Sequence, residues 1–144
     1  MKIALILALL LIPIVSAVSD TTPPTLVSFD FEPKVLDVSK SDQTIRFRAQ
    51  IKDDLSGFGG AQGVHFGSPS GKQHIIANFF ESDLVLGDKL NGTYVDYETI
   101  PEYSENGEWH IAYFIMRDKV NNFVSLNTTE LEKFGFPTVI EVKS

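Results

Sequence analysis

Apolar and polar side chains alternate along residues 43–53, QTIRFRAQIKD. The apolar residues share one face of an extended chain: Ile45, Phe47, Ala49 and Ile51. A period of two indicates a β-strand with one face against a core and the other in water. The stretch therefore predicts a sheet that is buried on one side.

Similar extended segments recur along the chain between Gly, Pro, Asn and Ser turns, a spacing typical of an all-β sandwich. Pro33 predicts that segments 26–31 and 35–38 form a broken edge strand, because proline cannot donate to a ladder. In segment 108–117 both faces are apolar near the middle, which predicts a bulge that switches the phase. The other predicted strands cover residues 63–67, 73–80, 93–100, 123–126 and 136–142.

One short helix is predicted just before the last strand. Thr129-Glu-Leu-Glu132 matches a capping box, and Gly135 follows as a stop signal. The sequence thus predicts an all-β fold, an antiparallel β-sandwich with a single short helix near its C-terminal end.

The N-terminal segment has the pattern of a secretory signal. Lys2 precedes an apolar run at residues 3–15, and Ala17 closes a small-residue cleavage pattern. The run is shorter than the roughly 20 residues of a membrane span. We therefore expect a signal peptide at 1–17, a Pro-containing lead-in at 18–24 and a domain at 25–144. The mature protein is expected to be secreted, extracellular or at the cell surface, with the periplasm as an alternative, and without an integral membrane span.

The charge balance limits the partners. The chain has 12 Lys and Arg against 19 Asp and Glu, a net charge of −7, and loss of Lys2 with the signal makes it −8. An acidic surface without a basic patch disfavours nucleic acid and anionic lipid, since both require positive charge. Divalent cations and basic or neutral partners remain compatible. The chain has no cysteine, so no disulfide braces the fold.

Several fragments together resemble an immunoglobulin-like module of secreted and cell-surface bacterial proteins, and more loosely a cadherin-like repeat. The resemblance covers residues 20–142 and implies an immunoglobulin-like β-sandwich used as a spacer or adhesive unit. This chain has one copy, whereas such modules often occur in tandem. The fragments are Asp20-Thr-Thr-Pro-Pro, Asp53-Asp54-Leu-Ser-Gly57, Ser68-Pro-Ser-Gly71, Tyr103-Ser-Glu-Asn-Gly-Glu-Trp109, Arg117-Asp118 and Phe134-Gly-Phe-Pro-Thr138.

In such a sandwich the first strand's start, the loop after the second strand and the last hairpin lie at one end. The resemblance therefore implies that segments 20–24, 53–57 and 117–122 meet, where their oxygens suit a hard cation such as Ca²⁺. Asp and Asn are also typical of turns, where they bond their own backbone, so both interpretations stay open. The candidate Ca²⁺ ligands are Asp20, Asp53, Asp54, Ser56, Asp118 and Asn121.

No catalytic or cofactor-binding residue is predicted. Gly67-Ser-Pro-Ser-Gly71 departs from the G-x-S-x-G nucleophile elbow because its central residue is Pro69. We expect an exported, non-enzymatic binding or structural module with an adhesion role, whose partner is a protein or glycan at the cell surface. One alternative is a small secreted enzyme or inhibitor with a site on its loops. Another is a subunit that adds a strand to its partner through the edge at 35–38.

Overall fold

The computed structural model describes residues 18–144, so the predicted signal peptide at 1–17 lies outside the described residues. The lead-in at 18–24 has no regular secondary structure. The strands are β1 (Thr25–Glu32), β2 (Val35–Asp37), β3 (Gln43–Lys52), β4 (Phe58–Gly67), β5 (His74–Phe79), β6 (Leu84–Gly87), β7 (Asn91–Ile100), β8 (Gly107–Asp118), β9 (Phe123–Asn127) and β10 (Val139–Lys143), and helix α1 (Thr128–Lys133) lies between β9 and β10.

The strands form two sheets, which confirms the all-β prediction. One sheet has the order β1-β3-β7-β6, and the other has the order β2-β10-β8-β4-β5. Strand β9 pairs with the C-terminal part of β8. The prediction of purely antiparallel pairing was wrong for β2 and β10, which pair in parallel. A parallel pair needs a long connection, and here most of the domain lies between the two strands.

The core lies between the facing sheets and is rich in phenylalanine. The rings of Phe29 and Phe114, from opposite sheets, have centroids 5.4 Å apart, and those of Phe31 and Phe66 are 5.3 Å apart. All four side chains are buried. Each such aromatic ring removes a large apolar area from water, which is the main favourable contribution in a fold without disulfides.

The predicted bulge in β8 is confirmed. The register against β4 shifts between the pairs Phe66 with Ile111 and His65 with Tyr113. Residues 112 and 113 both point outward, so the buried face passes from Trp109 and Ile111 to Phe114 and Met116. Because a bulge adds one residue to one strand, both apolar sets in this segment reach the same core.

Helix α1 confirms the predicted helix before the last strand, but its cap lies two residues earlier than expected. The Asn127 side chain accepts a hydrogen bond from the Glu130 backbone at 3.0 Å, and the Glu130 carboxylate accepts one from the Asn127 backbone at 2.8 Å. Gly135, with φ of 77°, follows the helix, as a C-terminal stop requires. No helix in residues 18–144 is long and apolar enough to cross a membrane.

Candidate metal site at the acidic pole

Four loops meet at one end of the two sheets, and hydrogen bonds join them. The Ser56 backbone donates to the Asp20 carboxylate at 2.8 Å, and the Asn122 amide donates to the Asp20 carbonyl at 3.2 Å. The Lys119 backbone donates to the Gly57 carbonyl at 3.0 Å. The three segments that the sequence predicts to meet are thus in contact. We call this end the acidic pole: residues 18–24, 52–57, 88–90 and 117–122.

The carboxylates of Asp20, Asp53 and Asp54 form a cluster, here called the aspartate cluster. Each offers one oxygen, and these oxygens lie within 4.8 Å of one another. Asp53 directly follows β3, and its backbone donates to the Leu90 carbonyl at 2.9 Å, which anchors it beside the β6–β7 turn. Thr22 of the lead-in donates its hydroxyl to Asp54. The cluster therefore joins the lead-in to the body of the fold.

Asp53 has one satisfied oxygen and one that lacks a partner. Asp53 is buried, with only 4% of its surface exposed. Oδ2 accepts backbone hydrogen bonds from Gly57 at 2.6 Å and Leu55 at 3.2 Å, whereas the buried Oδ1 has no hydrogen-bond partner among the described residues. A buried, unpaired carboxylate oxygen is costly, by about 1–3 kcal/mol or more for a charged group. An ion at this position would remove that cost.

The surroundings of Asp20 favour its charged form. Its pKa is lowered, chiefly by the facing Ser56 hydroxyl and also by backbone donors from Ser56 and Thr22. The Ser56 Oγ is buried and has no hydrogen-bond partner of good geometry, so it retains a free lone pair. A lowered pKa contributes stability that is present above the unfolded pKa and lost as pH falls through the folded one. At neutral pH Asp20 is thus a carboxylate.

A cavity of about 410 Å³ opens beside the aspartate cluster. Two of the three clustered carboxylates, those of Asp53 and Asp54, line it. The lining residues are Thr22, Pro23, Thr25, Lys52, Asp53 and Asp54.

Asp118 lies in the same pole but outside the aspartate cluster. It is 2% exposed, and Oδ1 accepts the backbone N–H groups of Val120 at 2.9 Å and Asn122 at 2.8 Å. Oδ2 accepts the Asn122 side-chain amide at 2.6 Å. Asn121 is exposed and takes a positive φ of 73° in this turn. The structure therefore uses Asp118 to build the β8–β9 turn, as Asp commonly does.

We predict that Asp118→Asn lowers the free energy of unfolding by about 1–2 kcal/mol, because the new amide cannot accept from Asn122 at Oδ2. The loss should be equal in EDTA and in Ca²⁺, as measured by urea unfolding. A loss that appears only in Ca²⁺ would make Asp118 a ligand instead.

Two contributors to this site were missed from the sequence. Thr22 binds both Asp20 and Asp54, and a threonine two residues after an aspartate is a recognisable local hydrogen-bond motif. Lys89 donates to the Ser56 carbonyl at 3.3 Å. Its contact depends on the β6–β7 turn, which no local pattern in segment 53–57 reveals.

The described chain is an all-β protein of two facing sheets, and its cluster of three carboxylates lies where the N-terminal lead-in contacts the β3–β4 loop. Residues 18–141 match the model of a family described as a domain of unknown function, DUF7743, and the chain belongs to that family. No curated protein and no solved structure matches the chain.

Proposed function

We propose that this chain is an exported, non-enzymatic binding or structural module of the cell surface or extracellular space. In this proposal the two sheets form an immunoglobulin-like β-sandwich whose acidic pole is stabilised by Ca²⁺. The observation that carries the cation is the buried Oδ1 of Asp53, which has no hydrogen-bond partner within residues 18–144. The Asp53 carboxylate also belongs to a cluster of three. Export is supported by the apolar run at residues 3–15.

The chemistry of the donors favours Ca²⁺. The proposed ligands are oxygens of Asp20, Asp53 and Asp54, with the free Ser56 hydroxyl beside them. Hard oxygen donors in a flexible arrangement suit Ca²⁺, whereas Mg²⁺ demands a near-octahedral shell and loses its waters reluctantly. Asp118 and Asn121 are left out of the proposed set, because the former is used by its own turn and the latter is exposed.

The proposed effect of the cation is mechanical. Asp20 belongs to the lead-in, whereas Asp53 and Asp54 belong to the β3–β4 loop, so one ion would join the two segments. Without an ion, three like charges within 4.8 Å repel one another, and this repulsion opposes the packing of the lead-in. Bound Ca²⁺ would offset the repulsion and hold the lead-in against the sheets.

A structural role is also supported by the other perturbed carboxylates. Burial raises the pKa of Asp96, and burial together with Asp96 raises that of Glu98. Asp96 accepts the Asn78 backbone N–H of edge strand β5 at 2.8 Å. Inward-pointing charges beside an open strand are a known way to protect an edge from unwanted pairing. These groups therefore have a structural explanation that needs no catalytic role.

The proposal is tested by thermal melting of residues 18–144 in EDTA, Ca²⁺ and Mg²⁺. Ca²⁺ at about 100 times its Kd should raise the Tm by roughly 10 °C, because binding to the folded state alone stabilises it by about 2.7 kcal/mol. Mg²⁺ should have a smaller effect, and Asp53→Asn should abolish the Ca²⁺-dependent rise.

Asp88→Asn is the matched control, since it removes the same charge from the same pole outside the aspartate cluster. It should keep the rise. Equal rises in wild type and Asp53→Asn would rule out the proposed site, and equal loss in both variants would indicate a general charge effect.

A further inference from the structure

The aspartate cluster leaves part of a calcium ion's coordination shell open when each carboxylate binds through one oxygen. Asp20, Asp53 and Asp54 then supply three oxygens, and Ser56 Oγ is a fourth. Ca²⁺ takes roughly six to eight oxygen ligands. Since Asp118 is used by its own turn, at least about two positions remain for water or for an oxygen from a partner. The cavity beside the cluster gives such an oxygen a route to the ion.

Two apolar side chains stand exposed on the β3–β4 and β8–β9 loops of the acidic pole. Leu55 is 45% exposed and lies between Asp54 and Ser56 in the chain. Val120 is 54% exposed at the tip of the β8–β9 turn, where its backbone donates to Asp118. The Lys119-to-Gly57 backbone hydrogen bond keeps the two loops adjacent. This end of the molecule therefore carries two apolar tips beside a site with free coordination positions.

A divalent cation would reverse the charge of this end alone. The four loops of the acidic pole contain five Asp and four Lys or Arg, a formal charge of −1, which becomes +1 with one bound divalent ion. The rest of the chain remains acidic. Beyond about 10 Å exposed charges are largely screened at 0.1 M ionic strength, so a surface meeting the pole would sense mainly the local charge. An anionic surface would thus attract the acidic pole and repel the rest of the protein.

We propose that the acidic pole, when it holds its cation, docks on a membrane surface that contains anionic phospholipid. Lipid phosphate or carboxylate oxygens complete the coordination of the ion, and Leu55 and Val120 enter the headgroup region. The protein as a whole stays acidic with the ion bound, since a divalent cation changes its charge of −8 only to −6, so the attraction to anionic lipid is confined to this pole. This inference rests on the proposed function, because it requires the same Ca²⁺ site.

The test is sedimentation of residues 18–144 with vesicles of equal parts phosphatidylcholine and phosphatidylserine, in Ca²⁺ and in EDTA. We expect binding in Ca²⁺ only, and none to vesicles of phosphatidylcholine alone. The double variant Leu55→Ser, Val120→Ser should bind at least about tenfold more weakly, because it loses two apolar insertions, while its Ca²⁺-dependent rise in Tm remains.

The outcomes separate the two proposals. A Ca²⁺-dependent rise in Tm without vesicle binding overturns the membrane inference and leaves the metal site intact. Binding that persists in EDTA, or that is unchanged in the double variant, also overturns it. Absence of any Ca²⁺-dependent rise contradicts both.

Discussion

Gly63→Ala is expected to lower the free energy of unfolding by about 3 kcal/mol or more, a large fraction of the stability of a typical domain. A Cβ at this position would lie 1.4 Å from the Ala77 carbonyl oxygen of the neighbouring strand β5. The backbone also has a φ of 53°, a region that alanine adopts only with strain. The β4–β5 pair would have to separate here to admit a methyl group. Urea unfolding followed by circular dichroism measures the loss.

Gly71→Ala is the matched control for Gly63→Ala. Gly71 has a similar φ of 69°, but no atom lies within 4 Å of its added Cβ. It should cost only about 1 kcal/mol, the backbone strain alone. Equal losses in the two variants would mean that the approach of β4 to β5 at Gly63 is looser than described.

Phe66→Ala should cost about 3–5 kcal/mol, the usual result when a fully buried ring is removed from a core. Phe66 packs against Phe31 at 5.3 Å and Phe47 at 5.8 Å, ring centroid to ring centroid, and both of these belong to the opposite sheet. The cavity left behind would therefore lie between the sheets. Phe80→Ala is the control, because Phe80 is 57% exposed.

Chemical denaturation measures the free energy of unfolding of both variants. The comparison requires that this free energy falls with denaturant concentration at the same slope in each. A loss under about 1 kcal/mol for Phe66→Ala, similar to the control, would contradict the description of a single core between the two sheets.

Much of the fold was predictable because the decisive signals are local. The alternation in β3 matches its burial along the strand, with Ile45, Phe47, Ala49 and Ile51 all buried. The bulge in β8 followed from two apolar faces in one segment, and α1 followed from its capping pattern and Gly135. In each case the physical cause lies within a dozen neighbouring residues.

The elements that were missed depend on distant contacts. Strand β6 has exposed Val85 and Leu86, so it shows no alternation, and it forms only because it pairs with β7. The first half of β4 is glycine-rich and lies outside the predicted strand at 63–67, yet β8 pairs with it from Phe58 onward. The parallel pairing of β2 with β10 joins nearly opposite ends of the domain and leaves no local trace.

The candidate site was likewise predicted only in part. The resemblance to an immunoglobulin-like sandwich implied that three Asp-containing segments meet, and the structure places them in contact. The sequence did not predict that Asp118 serves its own turn whereas Asp53 serves the candidate cation site. That difference depends on which carboxylate oxygens are free after each turn has formed its own hydrogen bonds. Asp118 has both oxygens engaged, whereas Asp53 keeps Oδ1 free.

Calorimetric titration of Ca²⁺ into residues 18–144 measures the proposed cation site itself, with Asp53→Asn and Asp118→Asn alongside. We expect one site in wild type, the same site in Asp118→Asn, and none in Asp53→Asn. Binding that is equal in wild type and Asp53→Asn, or absent from wild type, would contradict the proposed site.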